Sequence, residues 1–170
     1  MGGRAVTAAS RRRQAAVDVD YHFFMVGFQG MWNKRPWPDR RDRTGFISMN
    51  QTQILVWTGI KCGLLEVRTE FLDETPAQND ASDQWEEIVE VSLRSPGQPL
   101  NVCPPGDASP PEMLGVADLP ADDYYRIRFH SAGRDLEPDG YTPEPVERCY
   151  LQIWRESEGR DAIVSNGEAR

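Results

Sequence analysis

The sequence predicts an all-β protein, a two-layer antiparallel β-sandwich of about seven or eight strands joined by long Pro- and Gly-rich loops. Three observations carry that prediction. Asp123-Tyr124-Tyr125-Arg126-Ile127-Arg128-Phe129-His130 alternates large apolar with polar side chains and then breaks at Ser131-Ala132-Gly133, which is the period of a strand whose successive side chains point to opposite faces. Further segments repeat this design at intervals of roughly 8 to 12 residues, punctuated by Gly, Pro, Asn and Asp. A helical period is almost absent, and there is no internal repeat. The chain has 170 residues, a length suited to one domain that buries about two-thirds of its unfolded surface. Residues 17–156 are predicted to form that domain, with 1–16 a disordered basic arm and 157–170 a polar tail.

In chain order, Val17, Val19 and Tyr21 alternate with Asp18, Asp20 and His22, and the run turns apolar on both faces through Phe28. It reads as one long first strand whose second half is covered on both sides. Residues 29–43 are rich in Pro, Trp and Arg and read as a loop, because proline is excluded from central strands. Phe46-Ile47 and Ile54-Leu55-Val56-Trp57 mark two short strands, and 58–63 a turn. Leu65, Val67, Thr69 and Phe71 then share a core face, with Glu66, Arg68 and Glu70 on a solvated one. After the acidic loop 73–83, the segment from Trp85 carries two periods. Asp83-Gln84-Trp85-Glu86 has the form of a helix start, whereas Val89, Val91 and Leu93 alternate with Glu90, Ser92 and Arg94. The β-branched alternation is the longer, so 85–93 is predicted as a strand. Leu100, Val102 and Cys103 form a short partner strand.

The strand at 123–130 places Tyr125, Ile127 and Phe129 inward and leaves Tyr124, Arg126, Arg128 and His130 to water. Residues 131–145 read as a loop with an Arg134–Asp135 ion pair at its start. In 147–155, Cys149, Leu151 and Ile153 face inward and Tyr150, Gln152 and Trp154 outward. Ala162-Ile163-Val164 is too short to form an element alone.

Charge is unevenly placed. Residues 1–43 carry a net +5 and residues 44–170 a net −13. An acidic body disfavours direct binding to nucleic-acid phosphates and favours a protein partner with a basic surface, although such a surface also simply keeps a protein soluble. The three cysteines, Cys62, Cys103 and Cys149, are odd in number and far apart, which points to a reducing, cytoplasmic compartment rather than a disulfide framework. The apolar run Phe23-Phe24-Met25-Val26-Gly27-Phe28 is far shorter than the roughly 20 residues of a membrane span, so no membrane association is expected.

The residues offer no catalytic constellation, no metal ligand set and no cofactor fingerprint. His22 and His130 are the only histidines and belong to no H-x-x-x-H or Cys/His cluster. The sequence also lacks a G-x-S-x-G elbow, a P-loop and a G-x-G-x-x-G turn. A non-enzymatic binding module is therefore expected, with two candidate surfaces. The first is the acidic segment Asp80, Asp83, Glu86, Glu87 and Glu90. Its strand places Glu86 and Glu90 on one polar face and Glu87 on the other, as at a sheet edge, where charge steering and free backbone groups are both available to a basic partner. The second is the loop pair Trp32 and Trp37, whose expected role is to pin that loop to the sheet by burying area, with a stacking platform for a carbohydrate or small ligand as the alternative.

Asp20-Tyr21-His22-Phe23-Phe24, Gly45-Phe46-Ile47-Ser48, and Leu119-Pro120-Ala121-Asp122-Asp123-Tyr124-Tyr125-Arg126-Ile127-Arg128 paired with Tyr150-Leu151-Gln152-Ile153-Trp154 together resemble the competence protein J family and its bacterial relatives. The likeness spans 18–154 in outline, while the loops at 73–83 and 103–111 depart from it. It implies a small β-rich inhibitor that binds a DNA-entry nuclease, and carries over no individual binding residue.

Overall fold

The computed structural model describes residues 12–28, 30, 40–41, 45–77, 84–105, 119–159 and 162–166, with 40–41 and 162–166 described as backbone. These residues form β1 (Arg12–Val19), β2 (Phe23–Phe28), β3 (Arg40–Arg41), β4 (Ile47–Met49), β5 (Gln53–Trp57), β6 (Cys62–Leu72), β7 (Glu87–Arg94), β8 (Leu100–Cys103), β9 (Tyr124–Ala132), β10 (Tyr141–Thr142), β11 (Arg148–Arg155) and β12 (Ala162–Asn166). The architecture is all-β. One sheet has seven strands in the order β1-β6-β11-β9-β7-β12 with β10 beside β6, and the other has five in the order β3-β4-β5-β2-β8. Pairing is antiparallel except that β10 and β11 both run parallel to β6.

The alternation of β9 places its core face as predicted: Tyr125, Ile127 and Phe129 are fully buried. They meet the five-stranded sheet through aromatic contacts, Phe28 with Tyr125 at 6.0 Å and Phe46 with Phe129 at 6.3 Å between ring centroids. Val89, Val91 and Leu93 of β7 and Cys149, Leu151 and Ile153 of β11 extend the same core. Met25, Leu55 and Cys103 form a second cluster on the other face of the smaller sheet, which is why β2 is apolar on both sides.

Four expectations are corrected. The single long strand over 17–28 is two strands in different sheets. The chain turns at Tyr21 and His22, both in the left-handed region (φ 53° and 69°), where the Asp20 carboxylate accepts the Tyr21 amide hydrogen at 2.9 Å. Such a bend lets a chain switch layers at a sandwich corner. Residues 12–16, assigned to the disordered arm, belong to β1, which pairs with β6 from Arg12↔Glu70 to Val19↔Gly63. The eleven-residue β6 leaves that edge open, and pairing satisfies its backbone groups. In the tail, Ala162–Asn166 is a strand because β7 supplies its partner; β7 is consequently flanked by β9 and β12 and is not a sheet edge. Finally, the loop predicted for 131–145 begins inside β9 and contains β10, and Arg134 pairs with Glu87 rather than Asp135.

Candidate functional site

The polar side of the larger sheet departs furthest from its expectation. By alternation Arg126, Arg128 and His130 of β9, Tyr150, Gln152 and Trp154 of β11 and Glu70 of β6 face solvent, yet all are buried. Strand register explains how they coexist. Side chains opposite one another on paired strands form rows across a face, and one row reads Glu90, Arg128, Gln152, Glu70, Arg12 from β7 to β1. The adjacent row reads Ile88, His130, Tyr150, Arg68, Gln14. Opposite charges thus alternate across strands that lie far apart in sequence.

Glu90 sits between two arginines. Arg128 Nε donates to its Oε1 at 2.6 Å, and Arg126 donates to its Oε2 from Nε at 3.3 Å and Nη2 at 3.2 Å. Arg128 also donates to the carbonyl of Ala77 at 2.9 Å, so the 76–77 segment covers the row. Gly159 covers the other side, donating to Ser92 Oγ at 3.0 Å. Removing charges from water is costly unless each is paired and hydrogen-bonded, a condition these contacts meet.

A column of rings stands beside the row. Trp85 lies 5.9 Å from Tyr150 and 5.5 Å from His130, whose own ring stacks on Tyr150 at 5.0 Å. Arg68 and Arg148 cap it, with guanidinium carbons 4.3 Å from the Tyr150 ring and 5.1 Å from the Trp85 ring, favourable cation–π geometry. Where this cover ends, a groove of about 610 Å³ opens between β1 and Trp85, lined by Arg12, Arg68, Glu70, Trp85, Tyr150 and Gln152 among others.

The titratable groups of this face are engaged. Burial acts to raise the Glu70 pKa, but hydrogen bonds from Tyr150 and Arg12 and the charges of Arg12 and Arg68 outweigh it and hold the carboxyl below its usual range. Arg12 Nε donates to Glu70 at 2.5 Å, and the Tyr150 hydroxyl donates to its other oxygen. Burial and that bond push the Tyr150 pKa up, so it stays a phenol. Burial lowers His130 to about 4, leaving a neutral ring whose Nδ1 lies 3.0 Å from the Tyr150 carbonyl oxygen. Burial also pushes Cys103 up to about 12 and Cys149 well above the ordinary thiol range, which removes both as nucleophiles. Among the described residues, no three His, Cys, Asp or Glu side chains converge to hold a metal ion. Arg68 Nε and Gln152 Oε1 are buried atoms without a hydrogen-bond partner among the described residues, on two side chains that line the groove. One is a donor and the other an acceptor.

Of the carboxylates singled out in the sequence, the structure gathers Glu86, Glu87 and Glu90 at and just before β7. Glu86 is exposed and accepts the Gly133 amide hydrogen at 3.1 Å, Glu87 pairs with Arg134, and Glu90 holds Arg126 and Arg128. Asp80, Asp83, Trp32 and Trp37 lie outside the described residues. Strand alternation alone places Arg68 and Glu70 on the solvated face of one strand and Tyr150 and Gln152 on that of another. Their shared polar parity was visible, but the parallel β6–β11 pairing that joins them was not.

No family model and no curated protein sequence matches the chain. Solved structures do share its fold. ComJ from Bacillus subtilis, described as an inhibitor of the DNA-degrading activity of NucA, superposes with a TM-score of 0.58 at 12% identity over 85% of this chain and 96% of ComJ. The crocagin biosynthetic gene J product superposes with a TM-score of 0.53 at 16% identity over 85% of this chain and 97% of its own. The chain therefore has the ComJ-like fold, in keeping with the resemblance read from its strand motifs.

Proposed function

We propose that this protein is a non-enzymatic binding module that inhibits a basic enzyme, with a nuclease as the first candidate. The observation that carries the reading is the shared fold with ComJ over 96% of that inhibitor, joined to a body, residues 44–170, of net charge −13. A nuclease that grips phosphates presents a basic surface, and an acidic inhibitor meets it with complementary potential. In this reading Asp80, Asp83 and Glu86 steer the encounter, while Glu87 and Glu90 set the geometry of β7 through their arginine partners. No cofactor takes part. A reducing cytoplasm suits the three free cysteines, and no helix among the described residues is long and apolar enough to cross a membrane.

The direct test titrates the purified chain into DNA-degradation assays with a panel of basic nucleases that includes NucA. The expected result is stoichiometric loss of cleavage for at least one of them; failure to bind or slow any member would refute the reading. For an inhibited enzyme, reversing Asp80, Asp83 and Glu86 to Lys should slow association severalfold at low salt and less at high salt, because steering is screened. An association rate indifferent to both would remove the acidic segment from the interface.

A further inference from the structure

At one end of the sandwich three segments meet: the β1–β2 corner at 20–22, the turn at 58–62 and the loop 133–147. Backbone hydrogen bonds lace them together. His22 donates to the Lys61 carbonyl at 3.0 Å, Thr58 to the His22 carbonyl at 2.8 Å, Lys61 to the Gly140 carbonyl at 2.9 Å, and Asp139 to the Gly59 carbonyl at 2.9 Å. The approach is so close that a β-carbon on Gly59 would stand 1.8 Å from the Arg134 carbonyl oxygen. Three of the four non-glycine residues with positive φ among the described residues fall here, Tyr21, His22 and Asp139. Such conformations persist only where the surroundings over-determine them, as the hydrogen bonds between the three segments do here.

The same end carries every large apolar side chain that is left exposed among the described residues: Tyr21 at 69%, Leu136 at 65%, Tyr141 at 70% and Val146 at 40%. Single exposed apolar residues scattered over a surface mean little; their gathering on one laced platform does. Leu136 and Val146 flank Gly133, and Tyr141 pairs with Cys62 beside the turn that holds His22. Around them stand five exposed carboxylates, Asp20, Asp135, Glu137, Asp139 and Glu144, with Lys61 the exposed cation of these segments. Arg134 is taken by Glu87.

We propose that this end is a docking surface for a protein with a basic face, whose arginine and lysine side chains lie over Tyr21 and Tyr141 while the surrounding carboxylates neutralise them. The proposal rests on and deepens the reading of the protein as a binding module for a basic partner, and it assigns the contact to the end of the sandwich that Glu86 and Glu87 of the acidic segment adjoin through Gly133 and Arg134. Tyrosines on a preorganised backbone lose little entropy on binding and offer ring faces to cations. The two tyrosines are the expected anchors and the carboxylates their rim.

The test uses the full chain labelled with 15N and an octa-arginine peptide as the defined probe, at low ionic strength. Amide shifts should concentrate in 20–22, 58–62 and 133–147. The double variant Tyr21→Ala/Tyr141→Ala should raise the midpoint about tenfold, and Tyr21→Phe/Tyr141→Phe should restore it, because the ring faces remain. Both tyrosine side chains are exposed, so an unchanged spectrum elsewhere verifies that each variant is folded. Shifts spread equally over the exposed carboxylate segments 73–77 and 156–158 would show charge attraction without a site and overturn the proposal. So would concentration-dependent shifts of the same residues without peptide, which would make a second copy of the chain the occupant. If a nuclease is inhibited equally well by the alanine variant, this surface falls and the inhibitor reading stands. If no basic enzyme is inhibited but the shifts map here, the inhibitor reading falls and the surface stands.

Discussion

Replacing Glu147 by glutamine should change the pH dependence of stability in a calculable way. Glu147 is 2% exposed, and its Oε2 accepts the amide hydrogens of Gly59 at 2.9 Å and Ile60 at 3.3 Å. Burial is the strongest influence and, with a smaller push from Glu86, raises its pKa from 4.5 to about 7 against the two hydrogen bonds and the charge of Arg134. Between those values the folded state holds a proton that the unfolded state has lost, so stability is highest at low pH and falls as pH rises through 7. A rise from 4.5 to about 7 corresponds to roughly 3 kcal/mol. His130 works in the opposite sense. Its folded pKa of about 4 lies below its ordinary 6.5, so its contribution is full above 6.5 and is lost as pH falls through 4, again by roughly 3 kcal/mol. The two slopes oppose one another between 4.5 and 6.5, which flattens the wild-type profile there and hides both. The difference between Glu147→Gln and wild type isolates one of them. The amide side chain keeps an acceptor for both backbone N–H groups and cannot ionise, so the variant should gain about 3 kcal/mol over wild type between pH 4.5 and pH 8. Urea unfolding followed by tryptophan fluorescence across that range measures it, with a constant m-value showing that the unfolded state is unchanged. A difference that does not vary with pH would refute the assignment of Glu147 as a buried, late-ionising carboxyl.

Three further outcomes follow from the packing. Phe129→Ala removes a fully buried ring that meets Phe46 and should cost about 3 to 5 kcal/mol in urea titration; a loss below about 1 kcal/mol would contradict its place in the core. Glu90→Ala leaves Arg126 and Arg128 buried without their carboxylate, at an expected cost of about 3 to 5 kcal/mol, so a near-neutral urea midpoint would show that water reaches the pair. Gly59→Ala places a β-carbon against the Arg134 carbonyl and should destabilise by about 1 to 3 kcal/mol or more, visible as a lowered thermal midpoint; an unchanged midpoint would mean that the loop gives way freely.

What the sequence determined by itself was local. The alternation around Tyr125, Ile127 and Phe129 established which side of β9 is apolar, because side-chain direction in a strand follows from parity alone. The same logic read β7 as strand rather than helix. Parity says which residues share a face but not what covers it, and so the polar face of Arg126, Arg128 and His130 was assigned to water. It became an interior only when the 76–77 segment, Trp85 and Gly159 were laid over it. Pairing was likewise illegible: Arg12 and Ala162 sit in stretches too polar or too short to form strands alone, and each becomes one because β6 or β7 offers an unpaired edge. The groove with Glu70 and Tyr150, and the docking end with Tyr21, Leu136, Tyr141 and Val146, draw on segments separated by scores of residues. Only the tertiary structure could assemble them, since strand register and the parallel β6–β11 pair are settled by the packing of whole sheets and not by any local run of side chains.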